Sequence, residues 1–466
     1  MQDRTLYEES GLASPTAGTT SLLAIAALAA WEGRSAMTVD VGGAFLNADM
    51  PADGVKVHVR LEGVLAKLLV ELDSRYAAYV DDRGSIIVEL KKALYGTVQA
   101  SKLWYETLIK ELRTHAFVPN PFDPCVLNKQ VKDHQVTLVL HVDDMFVTSV
   151  DKADLDELAK WVTEKWANST RHDGPIVDFV GMTFDFHTRA GTGVVEVTQD
   201  GMTDAIVAES GVSRYKSTPA ALDLFDRDSE SPLLDVPRKK RFLSLVAKLA
   251  WLGKRARPEI LAPVAFLATR TSNPTEQDDA KLTRVHQYLM SSSRRGIALG
   301  VGKEGPVVQT YIDAAYGVHT HSGKSHSGCA ISLGQGPVFV SSRGQKIVTK
   351  SSTEAELIAL SDTASQAIHV SSFLTAQGYQ QKPAIIYQDN MSCMALMKKG
   401  GPCSERSRHI SIRNFWIKER VDLGEVVLVH KPTKDMFANV LTKAVVGEQF
   451  VVERQGLTNW EYDTRK

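Results

Sequence analysis

Residues Val136 to Thr148 read VTLVLHVDDMFVT. Two β-rich runs flank Asp143-Asp144, so the spacing predicts a hairpin with both carboxylates at its tip. Taken alone, an Asp-Asp pair is an ordinary polar turn. A second carboxylate in like surroundings alters that reading: Asp40 ends the apolar run MTVDV and is followed by Gly42-Gly43-Ala44-Phe45. Neighbouring carboxylates repel one another and lose hydration, which a divalent cation offsets. Two Mg²⁺ ions side by side would stabilise the attacking and leaving oxygens of a phosphoryl displacement.

The 466 residues around this segment are enough for about three domains with separate cores. Lys plus Arg number 54 and Asp plus Glu 55, a formal net charge of -1, so any polyanion partner has to be met by local charge runs. With 43% hydrophobic and 23% charged residues the chain reads as globular, not disordered, collagenous or multispan. Cys125, Cys329, Cys393 and Cys403 stand far apart without a C-x-x-C pair, which argues against a zinc ribbon or disulfide framework and for a reducing compartment. The apolar run Ser21 to Trp31, SLLAIAALAAW, follows Glu8 and Glu9 and is too short to cross a bilayer, so it is expected to be a buried helix and no membrane partner is expected.

Texture divides the chain into three blocks. Residues 1–150 mix helical runs (Leu22 to Ala30, Gln99 to Thr114) with strand-like runs (Met37 to Val41, Ile86 to Leu90, Val136 to Val142), an α+β pattern. Residues 151–300 open on a helix, Ala153 to Trp166, pass through short strands at Val177 to Phe186 and Val194 to Thr198, and become mainly helical. Residues 307–445 run β-β-β-α-β-α-β-α, which predicts a mixed five-stranded sheet with helices packed on it. Residues 446–466 read as a C-terminal tail.

A second acidic set lies in the third block. Asp313 follows the strand Thr310-Tyr311-Ile312, Asp389 ends Ile385 to Gln388, and Glu356 sits near the start of a helix, so the three can converge above a sheet. Glu354 competes with Glu356 for this role. Ser351-Ser352-Thr353-Glu354 fits a capping box, which ties Glu354 to the backbone and leaves Glu356 available. Two basic runs could track phosphates: Val236 to Pro258 carries Arg238, Lys239, Lys240, Arg241, Lys248, Lys254, Arg255 and Arg257 with no acid, and Lys398 to Arg420 has a net charge of +5. Trp251 and Trp416 are interleaved for stacking.

These segments resemble the reverse transcriptase and ribonuclease H region of copia-type LTR retrotransposon polyproteins. The resemblance rests on DVGGAFLNADM, LKKALYGTVQASKLWYE, HVDDMFV and FVGMTFDF in that order, then on YIDAAYG, KSSTEAELIAL, YQDNMSCMAL, RHISIR and LVHKPTKDMFANVLTK. It implies an α+β multidomain fold: a polymerase palm over 1–150, a helical thumb and connection over 151–300, and a ribonuclease H-like α/β domain over 307–445. Because family members carry fingers upstream of the Leu22 to Ala30 helix and this chain starts MQDRTLYEE, truncated fingers are expected.

Carried over, the resemblance makes Asp40, Asp143 and Asp144 the polymerase acids and Asp313, Glu356 and Asp389 the nuclease acids. Phe45 becomes the gate against a ribose 2′-OH, Gln99 a nucleotide-pocket residue, and Asn439 the fourth nuclease ligand, where the family usually has Asp. His141 replaces the family's usual Tyr. The implied cofactor is Mg²⁺, with Mn²⁺ as a substitute, and the implied partners are an RNA/DNA hybrid, a template-primer and deoxynucleoside triphosphates. A cytoplasmic virus-like particle, or the nucleus, is the implied setting. The contrasting reading is a decayed, truncated remnant that only binds nucleic acid.

Overall fold

The computed structural model describes residues 14–53, 55–399 and 411–460. Its organising element is the helix Thr19–Trp31, in which every residue from Ser21 to Ala29 is buried. Leu, Ile and Ala all round leave it no polar face, so it can exist only with neighbours on every side. One core joins this helix to Val126, Val139 and Phe146 of the first sheet, to Val195, Val197, Ile297 and Leu299 of a second, and to Ile312, Ile331 and Ala364 of the third unit.

The first sheet has six antiparallel strands in the order Val118–Asn120, Asp123–Val131, His134–His141, Asp144–Ser149, Ser35–Val41 and Ser169–Asp173. The second runs Gly334–Gln335, Ile297–Val301, Val194–Thr198, Met182–Asp185 and Ile176–Phe179, also antiparallel. The third is mixed and five-stranded, as its element order predicts: Pro337–Gly344, Lys324–Ser332, Gln309–His319, Ala384–Gln388 and Val426–His430, with the last two pairings parallel. Beside it the helices Val236–Gly253, Leu261–Ala268 and Glu276–Met290 share a core of their own, in which Phe242, Leu249, Phe266 and Tyr288 are fully buried. The result is a multi-sheet α+β fold.

The sheets cross two of the boundaries drawn from texture. Ser169–Asp173 pairs with Ser35–Val41, so the first sheet extends past residue 150, and Gly334–Gln335 pairs with Ile297–Val301, so the second reaches past 300. Strand periodicity shows which residues alternate, not which strand lies alongside. The expected C-terminal tail is, through Thr458, the helix Gly447–Thr458, whose Phe450 and Leu457 are buried among the 236–290 helices, Phe450 edge-on to Tyr288. Among the described residues no helix is long and apolar enough to cross a membrane, and Cys125, Cys329 and Cys393 are buried and unpaired.

The shared core implies that removing side-chain volume from the central helix loosens the three sheets packed around it at once. Leu28→Ala, at a site 2% exposed, is expected to cost about 2–5 kcal/mol and to lower one common unfolding transition in denaturant. A loss confined to one of two resolved transitions would contradict this.

Two candidate carboxylate sites

The first site is built at one end of the six-stranded sheet. His134–His141 and Asp144–Ser149 form the hairpin expected from VTLVLHVDDMFVT, with His141 paired to Asp144. The turn bends through Val142 at φ +61°, a strained angle for a β-branched residue, and the Trp104 indole holds it by donating to the Val142 carbonyl at 2.9 Å. Across the next ladder Asp40 pairs with Asp144, and the Val41 N–H donates to the Asp143 carbonyl at 3.2 Å. All three acids therefore meet at one sheet end. Gly42 is required there by space, since a Cβ would stand 2.7 Å from the Asn168 carbonyl oxygen to which the Gly42 N–H donates.

Burial, then the charges of Asp40 and Asp143, push the Asp144 carboxyl up to about 6. Beside it the Tyr95 hydroxyl donates to Asp143 Oδ2 at 3.0 Å, and the Phe45 ring stacks on Tyr95 at 4.2 Å between centroids. Phe45 thus stands one ring away from Asp143. Gln99 is buried at the start of the helix Ala100–Thr114, with its Nε2 3.9 Å from Met50 Sδ. His141 is half-buried, and desolvation and the Arg255 charge lower its pKa. Tyr95 carries no distinctive spacing by itself; its one signal in the sequence is membership of the LKKALYG segment.

The second site is more compact. Ligand oxygens of Asp313, Glu356 and Asp389 all lie within 4.8 Å of one another, the one such His, Cys, Asp or Glu group among the described residues. Asp313 and Glu356 are 4% and 5% exposed. Burial raises both, and it raises Glu356 well above its ordinary value, with the charge of Asp313 adding to the rise. Glu356 Oε1 accepts from the Ala314 N–H at 3.2 Å and Oε2 from the Gln388 amide at 3.1 Å. Asp389 accepts from the Thr433 hydroxyl at 2.7 Å. The Thr442 hydroxyl donates to Asp313, and Lys443 Nζ stands 3.6 Å from it. Gly328, opposite Asp313 in the ladder, makes this approach possible, because a Cβ there would meet Leu441 and Thr442 side-chain atoms at 2.7 Å.

The contest between the two glutamates resolves by geometry. Ser351 caps the helix Ser352–Ala376 by accepting from the Glu354 N–H at 3.2 Å. The carboxylate of Glu354 accepts from the Lys350 N–H at 2.8 Å. Glu354 thus serves the backbone at the helix start, as its place three residues after Ser351 predicts. Glu356, two positions on, turns into the acidic group. Asn439 is fully buried beside this group; its amide donates to the Thr433 carbonyl at 3.2 Å and to Glu453 Oε1 at 3.1 Å, while its Oδ1 is buried without a hydrogen-bond partner. Glu453, 2% exposed, is an acid that sequence reading missed because it lies past the last motif.

The basic run at 236–258 is corrected in one member. Arg257 is fully buried and paired with Glu259 at 2.8 Å, with further bonds to Ser292, so it cannot meet a phosphate. Its neighbours Pro258 to Leu261 turn into the helical core and carry it inward. Arg238 is bound to Glu276 and to Asp279 at 2.7 Å, Lys248 to Glu209, and Arg241 caps the carbonyls of Glu209 and Ser210 at 2.7 and 2.9 Å. Lys239, Lys240 and Lys254 have no acidic partner among the described residues, and Arg255 stacks on Trp251 at 3.2 Å. In the second run, Arg406 and Arg408, with the RHISIR start, lie outside the described residues; Arg413 and Lys418 pair with Asp362 and Asp422, and Arg420 with Glu419 and Glu425.

Comparison with known proteins follows the same division. A reverse transcriptase (RNA-dependent DNA polymerase) family matches residues 5–220. Over 445 residues the chain is 26% identical to the retrovirus-related Pol polyprotein from transposon TNT 1-94 of Nicotiana tabacum, covering 94% of this chain and 32% of that one. Over 379 residues it is 30% identical to the corresponding polyprotein from transposon RE1 of Arabidopsis thaliana, covering 79% of this chain and 25% of that one. Among solved structures, the foamy viral protease-reverse transcriptase in complex with RNA/DNA hybrid superposes with a TM-score of 0.50 at 12% identity, over 89% of this chain and 46% of that one, a likeness of fold. By these matches the chain is related to the copia-type retrotransposon reverse transcriptase polyproteins. It spans about a quarter to a third of the length of those curated relatives.

Both sites offer hard oxygen donors crowded enough to need a counter-charge, which suits a divalent cation. Native carboxyls held above their unfolded values contribute stability that is present at low pH and lost as pH rises through the native values. Without metal at pH 8, Glu356→Gln is therefore expected to raise Tm by about 2 °C. Mn²⁺ should raise the Tm of the parent protein more at pH 8 than at pH 5, because protons compete for the same oxygens, and should raise that of Asp313→Asn less, since only the first site then stays intact. Equal Mn²⁺ shifts at both pH values would contradict the assignment.

Proposed function

We propose that this chain is an RNA-directed DNA polymerase with a ribonuclease H activity, working on an RNA/DNA hybrid and template-primer with deoxynucleoside triphosphates. In this reading residues 1–150 supply the palm, which the strand Ser169–Asp173 completes, 151–300 the thumb and connection, and 307–445 the ribonuclease H domain. Asp40, Asp143 and Asp144 serve synthesis, and Asp313, Glu356 and Asp389 serve cleavage of the RNA strand. The observation that carries the reading is the convergence of Asp313, Glu356 and Asp389 within 4.8 Å, brought together from two strands and a helix.

Mg²⁺, or Mn²⁺, bound at these oxygens would supply the charge that activates and stabilises phosphate oxygens in transfer. The protein's own residues do the rest. Gln388, Thr433 and Thr442 hold the nuclease carboxylates in fixed orientations, and Asn439 offers a free buried oxygen as a fourth, neutral ligand. Glu453 behind it restores an acid to the neighbourhood that the amide lacks. At the other site Tyr95 fixes Asp143 and carries Phe45 over it, where the ring can bar a 2′-OH. Lys239, Lys240, Lys254 and the Arg255–Trp251 pair form the phosphate track in this reading, and a cytoplasmic virus-like particle is its setting.

Two single substitutions separate the activities. On a labelled hybrid with Mn²⁺, Glu356→Gln should abolish RNA cleavage and spare primer extension, Asp143→Asn should do the reverse, and Glu354→Gln should leave cleavage within about threefold while lowering Tm. Replacing Lys239, Lys240 and Lys254 by Ala should reduce the slope of log affinity against log salt by up to about 3. A parent protein that binds hybrid yet neither cuts nor extends would support the remnant that only binds nucleic acid, the reading that Asn439 in place of an acid favours.

A further inference from the structure

The elements that carry the two acidic groups are joined at their opposite ends by a buried polar network. Gln377 follows the helix whose start bears Glu356. Its amide exchanges two hydrogen bonds with Asn128, at 2.7 and 2.8 Å, and its Oε1 also accepts from Asn120 at 2.8 Å. Asn120 donates further to the Phe373 carbonyl in the last turns of the same helix at 3.1 Å. Two residues past Gln377, the Tyr379 hydroxyl donates to Glu32 at 2.6 Å and accepts from Arg34 at 3.1 Å. Arg34 is bound to Glu32 at 2.7 Å and to the Thr137 hydroxyl at 3.1 Å, and Thr137 donates to Asn128 at 3.0 Å, which closes the circuit.

Arg34, Thr137, Asn120 and Gln377 are each under 9% exposed, so this is an interior contact and not a surface one. Its position is what gives it consequence. Arg34 precedes the strand Ser35–Val41, whose far end holds Asp40, about 20 Å away at strand rise. Thr137 lies in the strand leading to Asp143 and Asp144. Gln377 stands 21 residues after Glu356, about 32 Å along the helix. Both acidic groups hang from rigid elements hinged at one locked point.

We propose that this clasp, Arg34–Tyr379 with Gln377–Asn120–Asn128, is a positioning device that fixes the separation of the two acidic sites and so sets where a hybrid is cut relative to the primer end. Apolar contacts around the central helix resist separation of the units but permit sliding, because they are non-directional. A satisfied network of amides and a guanidinium admits one register, and an altered register leaves buried polar groups unpaired. The assignment of Arg34, Asn120, Asn128, Gln377 and Tyr379 as positioning residues rests on the proposed function only for its consequence in cleavage, not for the rigidity itself.

The test uses the full chain in two measurements. Spin labels at Lys110→Cys and Lys346→Cys, in a Cys403→Ser background, report the distance between the palm helix and the nuclease unit. The parent should give one narrow distribution; Tyr379→Phe with Gln377→Leu should broaden it by at least about twofold, and Tyr379→Phe alone should broaden it less while keeping the parent Tm within a few degrees. In parallel, on a hybrid with a fixed primer end, the double variant should scatter the RNA cut sites over a window at least about twice as wide while total cleavage stays within about threefold. Unchanged label distances in the double variant overturn the clasp whatever the enzyme does. Narrow-to-broad label distances with no cleavage by the parent uphold the clasp and sink the proposed function. A broadened distance with an unchanged cut window overturns the role in cut placement.

Discussion

Everything in this protein rests on burying a helix that has no polar side. Thr19–Trp31 is apolar around its whole circumference, and the chain answers with a sheet on one flank, a second sheet on another and the long helix Ser352–Ala376 on a third. A helix of this composition cannot lie on a surface, so units separated by hundreds of residues are drawn into one core. That common core holds two distant acidic groups in one molecule.

On this frame the charge chemistry is placed against its own inclination. Like charges repel, yet hairpin and ladder bring Asp40 to Asp144, and a strand pair and a helix start bring Asp313, Asp389 and Glu356 together. The raised Asp144, Asp313 and Glu356 carboxyls record the stability given up to hold them there. The sites differ in how tightly the cost is managed. At the second, hydroxyls, amides and Lys443 enclose the acids; at the first, among the described residues, Tyr95 alone brings a side-chain hydroxyl to Asp143.

Much of this was legible from residue order because local patterns carried it. Alternation flanking Asp143-Asp144 revealed the hairpin, and an acid-free apolar run revealed the buried helix. Strand partners were not legible: nothing in STRHD at Ser169–Asp173 says it will flank Ser35–Val41, and nothing in Gly334–Gln335 says it will close the second sheet. Arg257 looked like its exposed basic neighbours because burial of a charge depends on partners brought in by the tertiary fold: Glu259, which accepts from the Tyr288 hydroxyl, and Ser292, which accepts from Arg257 itself. Tyr95, Thr442 and Glu453 escaped notice for a similar reason, each being an ordinary residue given meaning by what stands 3 Å or so away.

The central claim is that the two acidic groups are metal centres and not chance clusters of repelling charge. Anomalous scattering from crystals soaked in Mn²⁺ at pH 8 tests it most directly. The account predicts anomalous peaks among the oxygens of Asp313, Glu356 and Asp389, and at the sheet end formed by Asp40, Asp143 and Asp144. Crystals that take up Mn²⁺ elsewhere while both clusters stay empty would contradict it.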